Sequence, residues 1–496
     1  MQNRFLEQLE KTNKNLIAIS NDSIKITYGE LITQVTQLAD ELKEKNITQL
    51  GLYADNGPEW IIADLACHLA GITIIPLPLF FSEQQLAHTI KSCGNISALL
   101  TDRSEAAALF FDTETTSQLN ATKLMLIENN NVGTAQIPAQ TQKITFTSGS
   151  SGTPKGVCLS IEQQLNVANS ISAAIAINNV RHLCLLPLTT LLENVAGVYG
   201  PLLRGGEIIA PSLADIGIEG STVKDPIKLL STISKTQPST LILVPELLML
   251  LVTAIDKGWK APSSLKFIAV GGAKVSKELI VKAREHNLPV FEGYGLSECG
   301  SVVSLNLPNK DLVGSCGLPL AHLTTEIKNG EIIVKGNSYL GYINEPESWN
   351  QKIIRTGDQG YIDAEGFVHI QGRIKNILIS SFGRNINPEW IESELLANPL
   401  LSQVIVLGDG RPFCSALIAT RSTDTSYKEI FNWINAVNIR LPDYARIKNW
   451  YRLTTPLQNK DGLLTENGKP KREAINTHFY QIINSLYGIK NEVTSL

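Results

Sequence analysis

The chain has 496 residues, 43% hydrophobic and 18% charged, the make-up of an ordinary globular protein, and at about 150 residues per domain it allows two to four domains. Lys plus Arg number 43 against 47 Asp plus Glu, a net charge of −4. That balance gives no electrostatic reason to expect nucleic acid or an anionic membrane surface as partner.

The opening MQNRFLEQLEKTNKN lacks the apolar core of a signal peptide. The most apolar stretch, Ile61 to Phe81, contains Asp64, His68, Pro76 and Pro78, so it is a poor membrane span. It reads as a buried helix (WIIADLACHLAG) followed by a buried strand (ITIIPLPLF). LGLYADN (50–56), ISALLTD (96–102) and TKLMLIE (122–128) also read as short buried strands. Between the strands, ELITQVTQLADELKEK and SEQQLAHTIKSC show helical spacing. Such alternation predicts a parallel sheet with helices on both faces. It recurs in HLCLLPL (182–188), GEIIA (206–210), TLILVP (240–245), LKFIAVGG (265–272) and LPVFEGYG (288–295). From Gly314 to His369 short antiparallel strands and tight turns take over, a small barrel-like part. A fresh α+β pattern follows GRIKN, which places a boundary at Lys375: a large α/β domain over 1–374 and a small mobile α+β domain over 375–496.

The seven cysteines are scattered, with no CxxC pair. This argues against a zinc site or a disulfide framework and suits a reducing cytoplasm. The seven histidines form no ligand pattern and read as surface or satisfied core residues.

KITFTSGSSGTPKGVCLS (143–160) is the most informative segment. Between two strands, Gly149, Gly152 and Gly156 let the backbone aim its N–H groups at one point. Thr147, Ser148, Ser150, Ser151 and Thr153 add hydroxyls, and Lys155 adds a positive charge. This suits a polyphosphate. It is not the Walker loop, because Gly156 follows the lysine where that motif has Ser or Thr. A Ser/Gly run taken alone is usually a flexible polar turn.

TSGSSGTPKG resembles the signature of the AMP-forming adenylating enzymes, which include acyl-CoA synthetases and peptide-synthetase adenylation domains. Further motifs of that family follow in order: LPLTTLLEN (186–194), GGAK (271–274), GYGLSE (293–298), GEIIVKG, GYINEPE, RTGD (355–358), GRIKN (372–376), GRNINPEWIE (383–392) and NGKPKR (467–472). The resemblance implies that a carboxylate attacks the α-phosphorus of ATP and pyrophosphate leaves, a step needing preorganised cations and N–H donors. It implies Glu298 as the magnesium ligand, since a hard cation takes carboxylate oxygen, and Ser297 as an α-phosphate contact where the family usually has Thr. Tyr294 would stack on adenine, with Gly295 beside it, and Gly272 in the GGAK turn would let the base approach the backbone. Asp358 would accept both ribose hydroxyls, and Arg373 would approach the nucleotide. Lys469 would reach the carboxylate and α-phosphate as a point charge on a long stem. Taken singly, Glu298 reads as a solvated loop carboxylate, Asp358 as a turn residue, Arg373 as half of a surface ion pair and Lys469 as a solvated lysine.

For the second step the family turns its small domain about a hinge. Lys375 occupies that position, and Gly383 in SSFGRN would let a pantetheine arm pass. LPLTTLLEN resembles the LPLxHxxE pattern of the long-chain enzymes, with Thr190 where the pattern has His. The resemblance therefore implies a fatty acid–CoA ligase using ATP, Mg2+ and coenzyme A. A fatty acyl-AMP ligase loading a carrier protein, an amino-acid-activating module and a non-catalytic acyl- or nucleotide-binding relative are the alternatives. GYINEPESWNQKIIRTGD is short, without the insertion usual in carrier-loading ligases, which favours coenzyme A.

Overall fold

The computed structural model describes residues 4–94, 96–103, 114–129, 133–148, 154–220, 222–382, 384–465 and 468–488. Local sequence explains the helices that cover its sheets. Tyr28–Glu44 starts in a capping box, Thr27 with Glu30, and buries Leu31, Val35, Leu38 and Leu42 along one stripe. Pro58–Ala70 has no such stripe. It is apolar all round, buried over most of its length, and stopped by Gly71 at φ 74. The strand after it spans only Thr73–Pro76, because Pro76 and Pro78 lack the N–H a continuing ladder needs.

Among the described residues the large part holds an eight-stranded and a nine-stranded sheet. The eight-stranded sheet has a parallel centre in Lys143–Ser148, Thr73–Pro76, Gln49–Tyr53 and Ala98–Thr101. Its margins are antiparallel: Pro154–Leu159 folds back on Lys143–Ser148, and Met125–Asn129 on Ala98–Thr101. In the nine-stranded sheet Ile17–Ser20, Glu207–Ile209, Arg181–Leu183, Thr240–Leu243, Phe267–Val270 and Val290–Leu296 run parallel. Ser301–Leu305 and Leu318–Pro319 close that edge antiparallel. The expected parallel sheets thus form the centres, and antiparallel strands finish the edges.

HLCLLPL departs from the predicted strand. Only Arg181–Leu183 is extended, and LPLTTLLEN leads into a π-helical turn over Glu193–Tyr199. Thr324–Lys328, Glu331–Lys335, Ile353–Ile362 and Val368–Arg373 make the antiparallel part. A short 3-10 turn, Ile374–Asn376, leads into a segment with apolar clusters of its own around Leu395, Val406, Ile418 and Ile430 and around Leu417 and Leu457. The seven cysteines are all buried and unbridged, and no helix among the described residues is long and apolar enough to cross a membrane.

Candidate active site

Strand Lys143–Ser148 delivers the chain to the phosphate loop and Pro154–Leu159 takes it away, with Thr147 opposite Lys155 and Ser148 opposite Pro154. Gly149, Ser150, Ser151, Gly152 and Thr153 lie outside the described residues. Gly156 does not turn the loop, as the sequence reading had it. It sits within the ladder opposite Phe146, where a Cβ would meet Ile343 Cγ2 at 2.7 Å and the Phe146 ring at 2.9 Å. Close packing of a neighbouring strand, not phosphate geometry, requires glycine there. Lys155 pairs with Glu345 at 2.8 Å in an exposed and hence weak contact, and its Nζ stands 4.8 Å over the Tyr342 ring. The Tyr342 hydroxyl donates to Glu298 Oε1 at 2.7 Å. Tyr342 therefore bridges the loop lysine and Glu298, a role hidden within GYINEPE that only its aromatic ring beside a glycine hinted at.

The bend after Val290–Leu296 presents the next group. Gly295 lies so close to the returning strand that a Cβ would fall 1.7 Å from the Ser301 carbonyl oxygen. Ser297 and Glu298 follow in a short 3-10 turn. Gly272, at φ 80, closes the facing turn. The Tyr294 hydroxyl donates to Asp358 Oδ2 at 2.5 Å, and Arg373 Nε pairs with Asp358 Oδ1 at 2.9 Å. The Arg373 guanidinium also donates to the Thr356 carbonyl at 2.8 Å. Burial lifts the Asp358 pKa above the ordinary carboxyl value, although Arg373 and Tyr294 oppose the rise. Asp358 is therefore a buried carboxylate held from both sides, and Arg373, itself exposed, reaches it from the surface.

Lys469 arrives from the C-terminal segment. Its backbone is fixed against Thr465, whose hydroxyl accepts from the Lys469 N–H at 3.0 Å. The side chain keeps solvent-accessible surface yet stands in a crowded cleft. That crowding first, and the Arg373 cation second, lower its pKa, while Glu389 and Asp358 oppose the fall. Glu389, which sequence reasoning missed, accepts from the Asn376 amide at 2.6 Å. Lys375 is exposed in the turn between the two parts of the chain, and Gly383 lies outside the described residues.

Beneath these groups opens a cavity of about 260 Å3. Gly271, Gly272, Tyr294 and Ser297 line it at the C-terminal ends of the parallel strands, and Thr240 and Phe267 at their starts. Four residues of strand, ~13 Å at about 3.3 Å each, separate these levels. The intervening walls are apolar, with Leu186, Leu192, Ala196 and Ile242. Thr190 lines the cavity where the long-chain pattern has His, but His182 supplies an imidazole from the neighbouring strand.

The whole is a cleft in which carboxylates, cations and glycine turns surround the mouth of an apolar channel. A family model described as AMP-binding enzyme matches residues 5–343, and one described as AMP-binding enzyme C-terminal domain matches residues 375–491. The chain belongs to the AMP-binding enzyme family and is an AMP-forming ligase, as the order of its motifs implied. It is 28% identical to a 2-succinylbenzoate–CoA ligase of Staphylococcus epidermidis over 79% of this chain and 81% of that one. It is 26% identical to a feruloyl-CoA synthase of Amycolatopsis sp over 79% and 82%. Among solved structures, the anthranilate CoA ligase AuaEII in complex with anthranoyl-AMP superposes with a TM-score of 0.81 at 16% identity, covering 97% of this chain and 98% of that one. The Bacillus subtilis O-succinylbenzoate coenzyme A synthetase in complex with AMP gives 0.76 at 22%, covering 95% and 97%. These names carry aromatic acids, where the sequence motifs pointed to a fatty acid.

Proposed function

We propose that the chain joins an aryl or aryl-alkyl carboxylic acid to coenzyme A by way of an acyl-AMP. The observation that carries this reading is the shared wall: Gly271, Gly272, Tyr294 and Ser297 line the apolar channel and also form the family's nucleotide motifs. An acid lying in the channel therefore presents its carboxylate where the α-phosphate would stand. The names of the relatives support an aromatic body for that acid.

In the first step the carboxylate attacks the α-phosphorus of ATP and pyrophosphate leaves. Asp358 holds the ribose, with Arg373 and Tyr294 fixing its carboxylate. Ser297 donates to the α-phosphate. Lys469 neutralises charge gathering between carboxylate and phosphate, the largest kind of contribution available to such a site. Glu298 fits a hard cation: it is a carboxylate with one oxygen taken by Tyr342 and the other without a hydrogen-bond partner among the described residues. Magnesium held there would offset the charge of the leaving pyrophosphate. In the second step the C-terminal segment, residues 375–496, turns about Lys375, withdraws Lys469 and brings the loop of Gly383 toward the thiol, which displaces AMP.

A pyrophosphate-release screen over aryl acids, fatty acids and amino acids, with and without coenzyme A, tests the reading. Aryl acids are expected to release pyrophosphate and to yield the thioester once coenzyme A is present. A preference of tenfold or more for long-chain fatty acids over every aryl acid would overturn it.

A further inference from the structure

Deep in the channel, where Ser172 and Arg204 also line the wall, two of the lining residues belong to an ordered chain of three side chains. His182 and Thr240 face each other on adjacent parallel strands, and His182 Nδ1 lies 3.0 Å from Thr240 Oγ1. On the other side of the ring, Nε2 lies 2.9 Å from Glu193 Oε1. Glu193 is wholly buried and His182 nearly so. The π-helical turn that starts at Glu193 packs Gly197 against the pair, where a Cβ would meet His182 Nε2 at 2.5 Å. Ligand atoms of His182, Cys184 and Glu193 gather within 4.8 Å of one another, but carboxylate and imidazole are already joined at hydrogen-bond distance. His182 and Thr240 line the channel, whereas Glu193 stands behind the ring.

The chemistry of this chain is directional. A carboxylate at Nε2 selects the tautomer with its proton on Nε2. Nδ1 is then the acceptor, and the Thr240 hydroxyl donates to it. A hydroxyl has one proton and two acceptor sites, so Thr240 Oγ1 turns only lone pairs toward the channel. An apolar acid leaves those lone pairs dry and unmatched, which costs free energy. A hydroxyl on the acid at that depth, ~13 Å of strand below the nucleotide end, satisfies them.

We infer that Thr240, oriented by the Glu193–His182 pair, is a specificity-determining hydrogen-bond acceptor for a hydroxyl group on the far end of the acid, so that the substrate class is the hydroxyaryl acids. The inference rests on the aryl-acid reading above and narrows it. Glu193 and His182 are positioning residues in this scheme, and only Thr240 touches the acid.

Pyrophosphate release from 4-hydroxycinnamic acid and from cinnamic acid, as a ratio of kcat/KM, tests it in the native enzyme, in Thr240→Val and in Thr240→Ser. The native enzyme is expected to favour the hydroxylated acid by at least about tenfold, the scale for a site built to bond a hydroxyl. Thr240→Val should bring the ratio to near parity, chiefly through KM for the hydroxylated acid, and Thr240→Ser should keep the preference. The ratio is the readout, so a general loss of activity in a variant cancels. An undiminished preference in Thr240→Val overturns the inference. Activation of both acids without discrimination by the native enzyme overturns this inference alone. Activation of neither, with another aryl acid active in the screen above, overturns this inference alone; with no aryl acid active it takes the aryl-acid reading with it.

Discussion

Two single residues carry separate consequences, one for the proposed chemistry and one for stability against pH. In the proposed mechanism Lys469 is a cation that the C-terminal segment brings to the cleft and takes away again. Lys469→Ala should slow acyl-AMP formation by about 10²–10³, the scale for one preorganised donor, while leaving urea stability nearly unchanged. Acid-dependent pyrophosphate exchange at the native rate would remove Lys469 from the mechanism. Glu292, next to Gly293 and Tyr294, is buried; among the described residues its Oε2 lacks a hydrogen-bond partner and its Oε1 has the Cys316 thiol at 3.8 Å. Burial pushes its carboxyl from 4.5 up to about 7, although Lys274, Cys316 and Lys277 pull the other way. Between those two values the folded protein holds a proton that the unfolded chain has released. Stability from this group is thus full below about pH 4.5 and is lost as pH rises toward 7, on the order of 3 kcal/mol in all. Glu292→Gln, which keeps shape without charge, should raise the urea midpoint at pH 8 and hardly move it at pH 5. An equal shift at both values would mean that Glu292 does not titrate on unfolding.

Elements are tied to one another by a second buried network, and here the reach of sequence reasoning ends. Asp64 in helix Pro58–Ala70 pairs at 2.9 Å with Lys143, the first residue of the strand that enters the phosphate loop. From the π-helical turn, Asn194 donates to Asp64 Oδ2 at 2.9 Å and Tyr199 at 2.5 Å. His68 closes the group 2.7 Å from the Tyr199 hydroxyl. Burial lowers the His68 pKa to about 4, so the ring is neutral and Lys143 is the cation that matches Asp64. Asp64→Ala or Lys143→Met alone should cost about 3–5 kcal/mol, because each strands a buried charge. The double substitution should cost clearly less than the two together, and additive losses in urea unfolding would refute the coupling. Asp64 and His68 were visible in the sequence as polar breaks in an apolar helix, and Lys143 as part of the phosphate-loop strand. Their partnership was not visible, since nothing local to either segment specifies it. The same holds for Glu193, His182 and Thr240, each of which sits in a segment legible on its own. Strand and helix identities were legible because alternation and 3.6-residue spacing are local signals. The π-helical turn was not, because LPLTTLLEN carries an apolar run without period, and Gly156 misled because a glycine in a strand and a glycine in a loop look alike in one dimension.

At the scale of the whole molecule, the two parts of the chain meet in a cluster that titrates near neutrality. Helix Lys277–Glu285 of the large part presents Glu278 to Arg440, at the end of helix Tyr427–Arg440, at 2.7 Å. Arg440 also lies 3.7 Å from Glu394 in helix Pro388–Leu396. Burial, followed by a hydrogen bond that protonated Glu394 donates to Glu278 and the like charge of Glu278, pushes the Glu394 carboxyl up to about 7, against the pull of Arg440 and Lys274. Glu394 therefore holds a proton into the neutral range at the contact between the two parts of the chain. Lys274 adds a second tie between sheet layers by donating to the Ile370 carbonyl at 3.0 Å. A proton held more tightly in this orientation than in the rotated one stabilises it at low pH, and that stabilisation disappears as pH rises through about 7. Raising the pH should accordingly weaken the acid-activating orientation and ease the rotation proposed for thioester formation. Glu394→Gln keeps a hydrogen bond to Glu278 without a second negative charge. The ratio of variant to native pyrophosphate release, measured without coenzyme A, should rise from near one at pH 6 to about threefold or more at pH 8.5. If the ratio stays flat across that range, the proton on Glu394 does not govern how the two parts of the chain come together.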